Sequence, residues 1–136
     1  MKRTAPVLAA RPKTNYCAVV VDDNHDAAAT FARLLTMMGC KATFVTDARD
    51  ALAEVVDKRP HIVFLDISMP VIDGYELAAM IRRWLPSDET KLVAVTGFGA
   101  AEDRARARSA GFDAHVLKPV DPALVESIMK TVVEGR

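Results

Sequence analysis

The chain has 136 residues, enough for one domain with its own core, and it is 51% hydrophobic against 26% charged, which excludes a disordered chain. Its 18 basic and 18 acidic residues cancel, but Lys2, Arg3, Arg11 and Lys13 occupy residues 1–15 with no acid, so the remainder carries 14 basic against 18 acidic residues. A domain with a net charge of −4 is a poor candidate for non-specific nucleic-acid binding. The N-terminal apolar stretch Val7-Leu8-Ala9-Ala10 is cut short by Arg11, too short for a signal peptide, and no run reaches membrane-spanning length. A cytoplasmic location is the expectation.

Residues 1–15 hold Pro6 and Pro12 and no apolar period, so a flexible leader or linker remnant is expected there, with a single domain over 16–136. Tyr16–Val21 is continuously apolar, as a strand buried on both faces would be. A helical pattern follows, with Ala27, Phe31, Leu34, Leu35 and Met38 on one face, and Gly39 closes it. Lys41–Val45 reads as a second strand. Thr46 is a candidate cap for the next helix, whose apolar face is Ala48, Leu52, Val55 and Val56 and which Lys58-Arg59-Pro60 ends.

His61–Leu65 is the third strand. A loop with Met69-Pro70 and Asp73-Gly74 leads to a helix bearing Leu77, Ile81, Trp84 and Leu85, stopped by Pro86. Leu92–Val95 is the fourth strand, and Gly97-Phe98-Gly99 precedes a helix over 101–110 ended by Gly111. Ala114–Leu117 is the fifth. Asp121-Pro122 reads as an N-cap with Pro at the first helical position, and the last helix buries Leu124 or Val125, Ile128 and Val132. Five β-α units with short connections predict a doubly wound five-stranded parallel sheet with helices on both faces. The last helix uses up the chain, so no second domain is expected. Cys17 and Cys40 have no metal-ligand spacing and read as reduced, partly buried thiols.

Four of the five strands end in a reactive side chain. Asp22-Asp23 follows the first, Asp66 the third, Thr96 the fourth and Lys118-Pro119 the fifth. In an open parallel sheet these carboxyl ends converge on one edge, where ligands bind. Clustered carboxylates offer hard oxygen ligands suited to Mg²⁺. Without a cation they repel one another, so a metal or Lys118 must offset the charge. The blander reading makes each Asp a turn former or helix cap.

This ordered set, with Met69-Pro70 and Asp73-Gly74 between its parts, resembles the receiver domain of two-component response regulators over roughly residues 16–134. The resemblance also extends to receivers attached to hybrid sensor kinases, through the stretches Val95-Thr96-Gly97-Phe98-Gly99 and Gly111–Val120. It implies the flavodoxin-like (βα)5 fold and a phosphorelay role. Asp66 would be the phosphoacceptor. Asp22, Asp23, Asp66 and the backbone carbonyl of Ser68 would hold Mg²⁺. Lys118 would pair with Asp66 and then with the phosphoryl oxygens, and Thr96 would bond one of those oxygens. Gly97 would leave room for the incoming group.

The implied partners are a sensor histidine kinase or histidine phosphotransfer protein and a downstream protein target, with a homodimer possible through the last two β-α units. No DNA-binding output domain and no membrane insertion are expected, nor enzymatic turnover beyond self-catalysed phosphoryl acceptance and loss. The family's aromatic switch, three residues before the lysine, is here His115, a titratable ring. Ser68 and Phe98 occupy the positions that govern water access to the acyl phosphate, and the bulk of Phe98 implies a long phosphoryl lifetime. Arg104, Arg106 and Arg108 read either as a docking face or, more simply, as a solvated one. His25 and His61 receive no catalytic role.

Other classes fit less well. An Asp-nucleophile phosphohydrolase needs a second acid close after the nucleophile, which Asp66-Ile67-Ser68 lacks. A flavin or nucleotide site would want a phosphate-binding loop after the first strand, where two acids stand instead.

Overall fold

The computed structural model describes residues 16–97 and 101–134, apart from the side chains of 101–103 and 132–134. The expected leader at 1–15, the Phe98-Gly99 part of the glycine loop and the burial of Val132 lie outside the described residues. In chain order the elements are β1 (Cys17–Val21), α1 (His25–Met37), β2 (Lys41–Val45), α2 (Ala48–Lys58), β3 (Ile62–Asp66), α3 (Gly74–Arg82), β4 (Lys91–Thr96), α4 (Ala101–Ala110), β5 (Ala114–Leu117) and α5 (Pro122–Ile128). A short π-helical stretch, Met129–Glu134, continues α5.

All strand pairs are parallel, and the sheet order is β2-β1-β3-β4-β5. The order reverses between β1 and β3, which sets Asp22-Asp23 beside Asp66. Strand side chains alternate between two cores, the consequence of a two-residue period. Val19, Val21, Val63, Leu65, Leu92 and Ala94 face α2, α3 and α4. Ala18, Val20, Ile62, Phe64, Val93 and Val95 face α1 and α5, where Phe31, Leu35, Val125 and Ile128 meet them. The central strands are therefore apolar throughout, as the unbroken runs in the sequence require.

Two expectations need correction and one alternative is resolved. The cap of α2 is Asp47, not Thr46: its Oδ1 accepts the Arg49 N–H at 2.8 Å, and a carboxylate there also suits the positive end of the helix. Helix α3 ends at Arg82, before Trp84, because the chain tightens where the Trp84 N–H donates to the Ile81 carbonyl ahead of Pro86. Trp84 is consequently 64% exposed and outside the core, whereas Leu85 is buried. In α5 the choice falls on Val125, since Leu124 is 41% exposed. Of the two cysteines, Cys40 is buried and Cys17 half-buried.

Candidate functional site

The carboxyl ends of β1, β3, β4 and β5 bring Asp22, Asp23, Asp66, Thr96 and Lys118 to one edge of the sheet. One carboxylate oxygen from each of Asp22, Asp23 and Asp66 lies within 4.8 Å of the others. Asp22 and Asp66 are buried, at 6% and 4% exposure, while Asp23 is exposed. The two buried carboxylates are fixed in the same way. Asp22 Oδ1 accepts the N–H of Asn24 and Asp66 Oδ1 accepts the N–H of Ser68, both at 3.0 Å. Their other oxygens meet Lys118: Nζ is 3.4 Å from Asp22 Oδ2 and 3.5 Å from Asp66 Oδ2. Each of these carboxylates thus uses one oxygen to fix its own turn and turns the other toward Lys118.

Lys118 is held by its backbone, whose N–H donates to the Thr96 carbonyl at 2.8 Å, and the peptide to Pro119 is cis. Thr96 is buried and pairs with Leu117 in register. Gly97 beside it faces open space, since an added Cβ would meet nothing within 4 Å. Ser68 is exposed and contributes its N–H to Asp66. His115 lies apart from this group. It pairs with Ala94, two residues before Thr96, on the face that α4 covers.

Burial pushes the Asp66 carboxyl above its ordinary range. The Ser68 N–H opposes that, the charge of Asp22 reinforces it, and Lys118 pulls the other way. His115 is pushed below its ordinary value, first by burial and then by the Arg104 charge. The donor set of three carboxylates, two buried beside a single ammonium, fits a hard divalent cation, which would relieve the repulsion that Lys118 offsets only in part.

Sequence reasoning missed why Gly74 is glycine. A Cβ there would lie 2.6 Å from both the Asp66 carbonyl oxygen and the Ile67 Cα. The Gly74 N–H donates to the Ile67 carbonyl at 2.9 Å, so the start of α3 is pressed onto the backbone at Asp66 and Ile67. The Asp73-Gly74 dipeptide was a visible turn signal, but the close approach is tertiary. Val71 was also missed: it is 85% exposed with φ +70°, a strained value for a β-branched residue, where the Ile72 N–H turns back to the Pro70 carbonyl.

A groove of about 620 Å³ runs beside the acidic edge between α1 and the start of α5, lined by Phe31, Leu34, Val95, Pro119 and Val120, with Asp22 and Lys118 at one end. His25 is exposed and edge-on to Phe44. His61 Nδ1 accepts the Cys17 N–H at 3.0 Å, at the opposite end of the strands.

Five parallel strands in the order β2-β1-β3-β4-β5 with helices on both faces define a flavodoxin-like α/β domain. The sequence pattern of the response regulator receiver domain matches residues 18–130. The chain belongs to that family and is a receiver domain of two-component signalling. It is 34% identical over 101 residues to the protein PilG of Pseudomonas aeruginosa, covering 74% of this chain and 75% of PilG. It is 30% identical over 118 residues to hybrid signal transduction histidine kinase L of Dictyostelium discoideum, covering 82% of this chain but 7% of that kinase. Among solved structures, the CheY-like receiver domain from Methylobacillus flagellatus superposes with a TM-score of 0.75 at 32% identity, covering 86% of this chain and 98% of that one. Among the described residues no helix is long and apolar enough to cross a membrane.

Proposed function

We infer that Asp66 accepts a phosphoryl group from a phosphohistidine on a partner protein, a histidine kinase or histidine phosphotransfer protein. A carboxylate oxygen of Asp66 attacks phosphorus, the phosphorus–nitrogen bond to the imidazole breaks, and an acyl phosphate results. The observation that carries this reading is the placing of Lys118 Nζ within 3.5 Å of both Asp66 and Asp22, with Asp23 in the same cluster. Attack requires ionised Asp66, and burial works against ionisation. The Ser68 N–H and the Lys118 ammonium supply part of what holds the charge. Mg²⁺, bound by Asp22, Asp23, Asp66 and the Ser68 carbonyl, would supply the rest and neutralise the arriving phosphoryl oxygens.

After transfer, Asp66 no longer carries a full charge toward Lys118, so the ammonium is available to the phosphoryl oxygens. Thr96, buried at the next strand end, would donate its hydroxyl to the same group. Phosphoryl transfer needs mainly positioning and charge stabilisation, and both reside in these few side chains. The chain then acts as an acceptor that is consumed and regenerated by its own site, not as a turnover enzyme.

The partner's histidine must reach the acidic edge, and the apolar groove beside Lys118 offers a wall for its helix. Leu117 and Leu124, both 41% exposed on β5 and α5, support a second contact face for a downstream protein or a second copy. Equilibrium sedimentation with and without beryllofluoride, a phosphoryl mimic, tests the dimer: a single monomeric mass under both conditions would end it. A switching role for His115 requires that His115→Tyr or His115→Ala alter the difference in partner affinity between the phosphorylated and unphosphorylated forms.

The direct test of the acceptor is intact mass after incubation with Mg²⁺ and a small phosphoramidate. Wild type should gain one phosphoryl group, Asp66→Asn none, and chelation should abolish the gain. Equal uptake by Asp66→Asn would place the acceptor elsewhere.

A further inference from the structure

Helix α4 has little to hold it by apolar packing. Of its described side chains, Arg104 to Ala110, only Ala107 is buried and Ala110 half-buried. A methyl group covers little surface, so this helix gains less from burial than its neighbours. Among the described side chains, Arg106 adds a polar attachment: its guanidinium lies 4.1 Å above the ring centroid of Tyr75 and 3.7 Å from Asp73 Oδ2. Both targets belong to the first turn of α3. Tyr75 is nearly buried and edge-on to Phe112 at 6.4 Å, so the ring is a fixed platform. Asp73 is fixed too: its Oδ1 accepts the Glu76 N–H at 2.9 Å while Glu76 Oε1 accepts the Asp73 N–H at 3.2 Å.

Between these two residues stands Gly74, which donates to the Ile67 carbonyl and leaves no space for a Cβ against the Asp66 carbonyl. The contacts therefore run without a gap from α4, through Arg106 and the first turn of α3, to the backbone of Asp66. This route does not pass through Thr96 or β4.

We propose that Arg106 is a positioning residue that clamps the first turn of α3 onto the backbone of Asp66 and so couples the acidic pocket to α4. The coupling to phosphoryl chemistry rests on the acceptor reading above; the clamp itself does not. Deuterium exchange of the Gly74 amide in the unliganded protein tests the clamp. Arg106→Ala should speed that exchange roughly three- to tenfold, the size expected for losing one cation–π contact and one half-exposed ion pair. Arg106→Lys, which keeps the charge over the ring, should recover part of the loss. Unchanged exchange in Arg106→Ala, with thermal unfolding confirming a folded protein, would overturn the clamp.

The coupling is read by adding Mg²⁺ and beryllofluoride and following the α4 amides. Wild type should change its α4 exchange, and Arg106→Ala should lose most of that response. A full response in Arg106→Ala would overturn the coupling. If wild type neither responds to beryllofluoride nor takes up phosphoryl, the acceptor reading falls with the coupling, while the Gly74 result still decides the clamp.

Discussion

The Asp66 carboxyl sits in an environment that opposes its own charge. Burial lifts its pKa above 3.8, so the folded protein holds that proton to higher pH than the unfolded chain does. Its contribution to stability is fully present below pH 3.8 and is lost as the pH rises through the folded-state value. Asp66→Asn cannot ionise, and it should stabilise the protein at neutral pH by on the order of 1 kcal/mol, a few degrees in Tm. A lower Tm for that variant would mean that Lys118 and Ser68 outweigh burial. His115 has the opposite sign. Burial and Arg104 hold it neutral below the ordinary 6.5, so its contribution is present above that value and is lost as the pH falls through the lowered one. Urea unfolding across about pH 7 to about pH 5 should show wild type losing stability that His115→Phe retains. At Gly74 the issue is space. An alanine methyl would sit 2.6 Å from backbone atoms of Asp66 and Ile67, which cannot rotate away. Gly74→Ala should cost about 2–4 kcal/mol and slow phosphoryl uptake in whatever fraction stays folded.

At the scale of elements, the end of the sheet away from the site is fastened by Arg82, the last residue of α3. Its guanidinium meets Asp113 Oδ2 at 2.6 Å and donates to the carbonyls of Gly111, Leu85 and Thr90 at 2.9, 3.1 and 2.7 Å. Asp113 in turn accepts the Leu92 N–H at 2.9 Å, at the start of β4. One side chain thus ties α3, β4 and the turn into β5. Because both charges are largely buried, removing one leaves the other poorly compensated. Arg82→Ala should lower the unfolding free energy by about 2–4 kcal/mol in urea titration, while the folded fraction takes up phosphoryl at the wild-type rate. A loss of uptake without a loss of stability would move Arg82 from the frame to the site. Helix α4 is the contrasting element: among its described side chains only Ala107 is fully buried, which is why the Arg106 guanidinium contact matters.

For the whole molecule, cation binding at the acidic edge, as proposed above, would make stability depend on cations. An ion that binds the folded cluster and not the unfolded chain stabilises by mass action, about 1.4 kcal/mol at ten times its dissociation constant. Mg²⁺ should therefore raise the Tm of wild type by a few degrees and raise that of Asp23→Asn much less, and a chelator should reverse the rise. Equal responses in both would mean a general salt effect, not the cluster.

Much of this was legible in the sequence because of local periodicity. Short unbroken apolar runs such as Ile62–Leu65, alternating with helical patterns, read as central strands, and short β-α spacing favours a parallel sheet whose carboxyl ends gather Asp22, Asp23, Asp66, Thr96 and Lys118. The residue types at those ends already pointed to a cation and a phosphoryl group. Local signals were weaker where two neighbours compete for one role, as with Thr46 and Asp47 at the start of α2, or Leu124 and Val125 on α5. Tertiary structure alone decided which carboxylate oxygen faces Lys118, why glycine is required at 74, that Trp84 lies outside the core, and that Arg106 reaches Tyr75. Each depends on the distance between elements far apart in the chain, and a pattern read along one strand or helix carries no information about what approaches it from another.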